Sequence, residues 1–170
     1  MNKQLHQFFT NDHRRIETLL KKATEDPNEI KAGEYNAFRT GLLKHIKMEE
    51  KILFPAAQKA NGGIPLPRAA KLRLDHAALT SLLVLPPDAS LIKVLWYILD
   101  RHDLEEEEPG GMYDACASLT RVQTQALLDQ LSNVSEVPVH PPNASSYAYE
   151  AARRSLERAG YDLESIASGM

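Results

Sequence analysis

The chain reads as all-α: an antiparallel up-down four-helix bundle over residues 1–131, then a linker and helical extension over 132–170. Three observations predict this. Apolar residues recur at helical spacing in four successive segments, each marking one buried stripe. Short turns follow the first and third segments, as between antiparallel neighbours. The third observation is a repeat. Asp12-His13-Arg14-Arg15-Ile16-Glu17-Thr18-Leu19-Leu20 matches Asp75-His76-Ala77-Ala78-Leu79-Thr80-Ser81-Leu82-Leu83, and each copy is followed by a His-x-x-x-Glu pair, His45/Glu49 and His102/Glu106. One helical hairpin is written twice.

Composition sets the bounds. With 170 residues, 43% hydrophobic and 25% charged, the chain suits one soluble core with an appendage. A net charge of -3 gives no reason to expect nucleic acid or an anionic membrane as partner. No apolar run approaches the length of a membrane span, and the N-terminus carries no secretory signal pattern. The only cysteine, Cys116, forms no intrachain disulfide and suits a small buried side chain. The expected compartment is the cytoplasm.

The first helix is expected from about Asn2 to Ala23, with Phe9, His13, Ile16 and Leu20 inward. Its His6 is read as a partly solvated residue at the bundle end, and Glu17 as an exposed partner of Arg14 or Lys21. Glu25-Asp26-Pro27-Asn28 stops it. The second helix is expected from near Glu29 to about Lys59, bent or weakened at Pro55. Its inward stripe is Phe38, Leu42, His45, Glu49, Ile52 and Ala56. Asn61-Gly62-Gly63-Ile64-Pro65-Leu66-Pro67 is the connection between the two copies. A third helix follows over about Arg68 to Leu85, with Leu72, His76, Leu79 and Leu83 inward. Asp88 caps a fourth that carries Leu91, Leu95, Ile98, His102 and Glu106.

Glu107-Glu108-Pro109-Gly110-Gly111 interrupts the fourth helix, and Met112 to Leu131 reads helical again. Glu107 and Glu108 are expected on a solvated face. Glu106 is preferred over Glu105 because its spacing from His102 equals that of Glu49 from His45. Ser132 to Pro142 is a linker containing an exposed His140. A fifth helix over Asn143 to Ala159 is capped near Asn143 or Ser145 and closed by Gly160, with a last turn over Asp162 to Ala167. Whether this tail packs on the bundle, dimerises or meets a protein partner stays open.

Four inward imidazoles and two carboxylates exceed what one tetrahedral zinc uses. They suit two first-row metals, each held by two histidines and bridged by both carboxylates. Mixed nitrogen and oxygen donors without thiolate point to iron, with manganese second, and an oxo or hydroxo bridge completes the set. About five ligands per metal leave a position for a diatomic molecule or peroxide. No nucleophile triad, phosphate loop or separate acid–base pair occurs, so any chemistry belongs to the metals.

These residues carry a resemblance. The order His13, then His45-x-x-x-Glu49 followed by Glu50-Lys51-Ile52-Leu53-Phe54-Pro55, then His76, then His102-x-x-x-Glu106, is similar to the hemerythrin-like family, or HHE cation-binding domain, over roughly Asn2 to Leu131. The resemblance implies a non-haem di-iron centre in an antiparallel four-helix bundle, held by His13, His45, Glu49, His76, His102 and Glu106. Two positions depart from the oxygen carriers. Those have His-x-x-x-His on the third helix, where Thr80 stands here. They also place an aspartate five residues after the fourth-helix histidine, where Glu107 stands here. Members with this reduced set are similar to proteins linked to iron sensing, nitrosative or oxidative stress, and iron–sulfur repair. The repair proteins add a cysteine-bearing N-terminal segment, whereas here the first helix begins almost at once.

The expected function is binding or sensing of oxygen, nitric oxide, peroxide or iron itself. The alternative is a redox enzyme using the same centre for peroxide or nitric oxide reduction or for iron–sulfur repair. A third reading makes the metal structural and gives the tail a partner.

Overall fold

The computed structural model describes residues 3–169, and every regular element in them is helical. In order these are α1 (Gln4–Ala23), α2 (Ala32–Met48), a π-helical turn (Glu49–Leu53), α3 (Phe54–Ala60), α4 (Ala69–Leu82), α5 (Ala89–Glu107), α6 (Met112–Leu119), a 3-10 turn (Arg121–Gln123), α7 (Thr124–Ser132), α8 (Ser146–Ala159) and α9 (Leu163–Ser168). Asn2, expected to open the first helix, and Met170, in the expected tail, lie outside the described residues. Among the described residues no helix is long and apolar enough to cross a membrane. The chain divides into two compact units. One holds the chain up to Ala69 together with Leu104–Val139, the other Ala70–Asp103 together with the chain from His140 onward.

In the first unit α1 and α2 run antiparallel. The Lys31 amide donates to the Ala23 carbonyl at 2.9 Å, closing the turn between them. Further along, Arg15 lies against Gly41 and Asp12 reaches His45, so rising numbers on α1 meet falling numbers on α2. The α1 stripe of Phe9, His13, Ile16 and Leu20 is buried as its spacing predicts. α6 packs on α1 and α3, and α7 packs on α1 and the π-helical turn.

The second helix runs to Ala60, close to the expected end, and differs from expectation at its start and at its break. It begins at Ala32, three residues after Glu29, because Asp26 folds the preceding residues into a tight turn. Its carboxylate accepts from the Asn28 amide at 2.8 Å and its carbonyl from the Glu29 amide at 3.3 Å. The break sits before Pro55 rather than at it. Pro55 has no N–H, and its ring would clash with the Lys51 carbonyl in a regular α-helix. The preceding turn therefore widens, and the Phe54 amide donates to the Glu49 carbonyl five residues back. The wider turn rotates the chain that follows. Leu53, Phe54 and Ala57 are buried there, whereas the expected Ile52 and Ala56 are only half-buried.

α5 ends at Glu107, where the sequence places the interruption. Gly110 takes φ 77°, and the Gly111 amide donates to the Glu108 carbonyl at 2.7 Å. A Cβ on Gly111 would stand 2.8 Å from the carbonyl oxygens of Glu105, Glu106 and Glu108. Only glycine lets the chain turn this tightly and lead into α6. The helical stretch expected over Met112 to Leu131 is broken at Thr120 into α6, the 3-10 turn and α7.

The second unit settles where the tail goes. The Asn143 amide donates to the Val84 carbonyl at 2.8 Å, and Lys71 reaches the Ala159 carbonyl at 2.8 Å. Leu156, Ala152, Leu163 and Ile166 are buried with Leu72, Leu79, Leu95 and Ile98 in that unit's core. The expected caps are present. Asp88 accepts from the Leu91 amide at 2.8 Å and Ser145 from the Ala148 amide at 3.2 Å, each cap contributing about 1 kcal/mol. Gly160 closes α8 at φ 92°.

Gly111→Ala tests the turn after α5. Its methyl group meets backbone oxygens that cannot move independently, so the substitution should lower unfolding free energy by about 1–3 kcal/mol. Urea unfolding measures it, and a midpoint equal to wild type would contradict the account.

Candidate metal centre

Four predicted site residues come together in the first unit, each delivered by a different piece of backbone. α1 supplies His13, the last turn of α2 His45, the π-helical turn Glu49, and the last turn of α5 Glu106. One ligand atom from each lies within 4.8 Å of all the others, and all four residues are buried. His13 Nε2 stands 3.3 Å from Glu106 Oε2, and His45 Nε2 stands 3.2 Å from Glu49 Oε1. Both glutamate side chains have 0% exposure.

Carboxylates behind the histidines orient them. Asp12 Oδ2 lies 2.9 Å from His45 Nδ1, and Glu107 Oε1 lies 2.6 Å from His13 Nδ1. A carboxylate accepts from Nδ1–H, which sets the tautomer and turns the Nε2 lone pair toward the centre. Arginines then hold the carboxylates: Arg15 bonds Asp12 at 2.8 Å, and Arg14 pairs with Glu107. Burial works against ionisation of Asp12, yet His45 and Arg15 hold its carboxyl below the usual range. Glu107 behaves alike: burial opposes its charge while His13 and Arg14 lower it. The expectation that Glu107 lies on a solvated face is therefore corrected. Glu108 is half-buried and bonds Arg68, which also holds the exposed Glu105.

His76 and His102 come together in the second unit, both buried, with ring centroids 4.8 Å apart. Asp75 Oδ2 lies 3.4 Å from His102 Nδ1. Asp75 is itself buried. Its burial favours the neutral acid, but His102 and Lys71 hold the carboxyl low. Lys71 Nζ pairs with Asp75 and also donates to the Ala159 carbonyl and, at 3.2 Å, to the Tyr161 hydroxyl. The tail thus reaches the group that orients His102. The repeated Asp-His dipeptide acquires a meaning from this. In each copy the aspartate supports the histidine of the His-x-x-x-Glu pair that follows, Asp12 for His45 and Asp75 for His102.

Neither His6 nor His140 belongs to a ligand group among the described residues. His6 is half-buried, its Nε2 3.0 Å from the Glu107 carbonyl, and His140 is exposed. Glu17 pairs with Arg14 at 3.1 Å, as its spacing predicts, but is half-buried rather than exposed. The residue that sequence reasoning missed is Tyr113. Its buried hydroxyl lies 2.6 Å from Glu49 Oε1 and 2.9 Å from Glu106 Oε2. Tyr113 belongs to the segment where the two copies no longer match, so no periodic signal marks it.

The donor set fits a first-row cation. Two carboxylates and two imidazoles enclosed together face a desolvation cost of several kcal/mol per ion, and a bound cation offsets it. No thiolate takes part. Burial pushes the Cys116 thiol up, and Glu49 and Glu106 push it further. Nitrogen and oxygen donors of this kind suit iron or manganese rather than soft ions.

The site should bind metal in competition with a proton. Burial disfavours the His45 imidazolium, but Glu49 and Asp12 outweigh it and raise the group from 6.5 to about 9. A ligand imidazole must be neutral, so apparent metal affinity should rise with pH and level off above about 9. The metal-free chain should show the opposite trend in stability. Its His45 contribution to stability is complete below 6.5 and is lost as pH rises through about 9. Calorimetric titration and thermal unfolding across this range check both; a pH-independent affinity would contradict them.

No curated protein and no solved structure matches the chain significantly. The hemerythrin HHE cation-binding domain model matches residues 4–109. That range contains every residue of the site described above except Tyr113, together with His76 and His102 from the second unit. The chain belongs to the hemerythrin HHE cation-binding domain family.

Proposed function

We propose that this protein holds an oxo- or hydroxo-bridged pair of iron ions and uses it to bind or sense oxygen, nitric oxide, peroxide or iron. The proposed ligands are His13, His45, Glu49, His76, His102 and Glu106, with Glu49 and Glu106 bridging. One observation carries this reading: two fully buried glutamates converge with two carboxylate-oriented imidazoles in a single core. Bound iron supplies reversible electron transfer and an exchangeable coordination position. The chain's own residues do the rest. Asp12, Asp75 and Glu107 keep the imidazole tautomers fixed, and the apolar side chains of α1 and α2 keep bulk water out. The proposed compartment is the cytoplasm, with a homodimer or protein partner on the tail's outer surface.

Metal content of single variants tests the ligand set. His45→Ala and His102→Ala should each lose much of the iron, while His6→Ala and His140→Ala should keep it. Glu106→Gln should lose iron and Glu105→Gln should not. Glu107→Gln should retain the ligands but weaken affinity roughly 10–100-fold, through His13. Equal depletion in His6→Ala and His45→Ala would overturn the assignment. Mixing the reduced protein with oxygen or peroxide then separates roles: a reversible adduct supports sensing, and sustained turnover with a reductant supports the enzyme reading.

A further inference from the structure

Tyr113 is buried at 1% exposure, and four polar atoms surround its hydroxyl oxygen. Glu49 Oε1 is at 2.6 Å, Glu106 Oε2 at 2.9 Å, His13 Nε2 at 3.0 Å and His45 Nε2 at 3.2 Å. These are the four donors of the site in the first unit. The phenol oxygen can both donate and accept. His13 Nδ1 lies against Glu107 and His45 Nδ1 against Asp12, so both Nε2 atoms are turned inward. Five oxygens and nitrogens of the kind that ligate first-row metals therefore converge on one point. A cation taken up there, with release of their protons, serves all five at once.

The phenol is held there by its surroundings. Phe9 stacks on the Tyr113 ring with centroids 5.1 Å apart, and His6 meets it edge-on at 5.9 Å. Backbone fixes its origin as well, because the Gly110–Gly111 turn joins the end of α5, which carries Glu106, directly to α6, which carries Tyr113. The ring contacts with Phe9 and His6 and the tight turn behind α6 hold the phenol beside the donor group.

We propose that the Tyr113 oxygen is a further protein ligand to the metal held by His13 and His45. The inference rests on the metal-centre reading above and adds a ligand from outside the repeated hairpin. Coordination forms an oxygen–metal bond and breaks the phenol O–H bond, with the proton released to solvent. The anionic oxygen makes this ion unlike its neighbour and favours its ferric over its ferrous state. The segment bearing Tyr113 occurs once in the chain, after the second hairpin copy.

The test is spectroscopic. The full-length metal-free chain is loaded with ferrous iron, oxidised in air, and studied by visible absorption and resonance Raman. Wild type should show a broad phenolate-to-iron charge-transfer band and, on excitation into it, tyrosine ring modes that shift when tyrosine is ring-deuterated. Tyr113→Phe should lose the band completely, and Tyr147→Phe, at an exposed tyrosine of α8, should keep it at full intensity. Iron-loaded wild type without the band overturns the proposal and leaves the metal-centre reading standing, as does a band that survives in Tyr113→Phe. A chain that takes up no iron overturns both. The wild-type spectrum decides the matter even if Tyr113→Phe fails to fold.

Discussion

Two carboxylates, Glu49 and Glu106, are sealed inside a helical core, and most of the local design answers to that constraint. An isolated buried carboxylate costs several kcal/mol, and two near one another cost more. The first unit answers by bringing imidazoles against both, His45 on Glu49 and His13 on Glu106. It then ties those imidazoles to a second ring of carboxylates, Asp12 and Glu107, which arginines at the surface hold in turn. Charge alternates outward from the centre: carboxylate, imidazole, carboxylate, guanidinium. Each layer stabilises the next only while the innermost layer is compensated, which is the role a bound cation takes.

The backbone departs from regular helix beside both glutamates, by different means. Glu49 opens a π-helical turn brought about by Pro55, and Glu106 precedes a stop made by Gly110 and Gly111. π-Helical turns are frequent at functional sites because one extra residue re-aims a side chain without ending the helix. The two copies of the hairpin thus share their polar residues but not their local geometry. The Gly-Gly stop also brings in Tyr113, whose hydroxyl lies against both glutamates.

Much of this was legible in the sequence, and the reasons differ by residue. His13, His45, Glu49 and Glu106 were readable because helical spacing places them on apolar stripes, and a second copy made coincidence a poor account. The caps at Asp88 and Ser145 and the stop at Gly160 were readable from local turn chemistry. Glu107 was misread because a run of glutamates ordinarily faces water, and its partners lie far away in sequence, on α1. The buried face after Glu49 was displaced by one residue, since periodicity arguments assume an unbroken α-helix. Tyr113 lacks any periodic mark; only the tertiary packing of α6 on α1 brings it to the centre. The tail carries no ligand pattern, so its link to Asp75 through Lys71 could emerge only from the folded chain.

The central claim is that the buried histidine and glutamate group exists to hold metal. Elemental analysis of freshly purified protein, set beside its thermal unfolding before and after chelation, tests it most directly. The account predicts two iron or manganese ions per chain and a large fall in thermal stability once they are removed. A chain that purifies without metal, takes up none when iron is supplied, and unfolds at the same temperature with or without a chelator would contradict it.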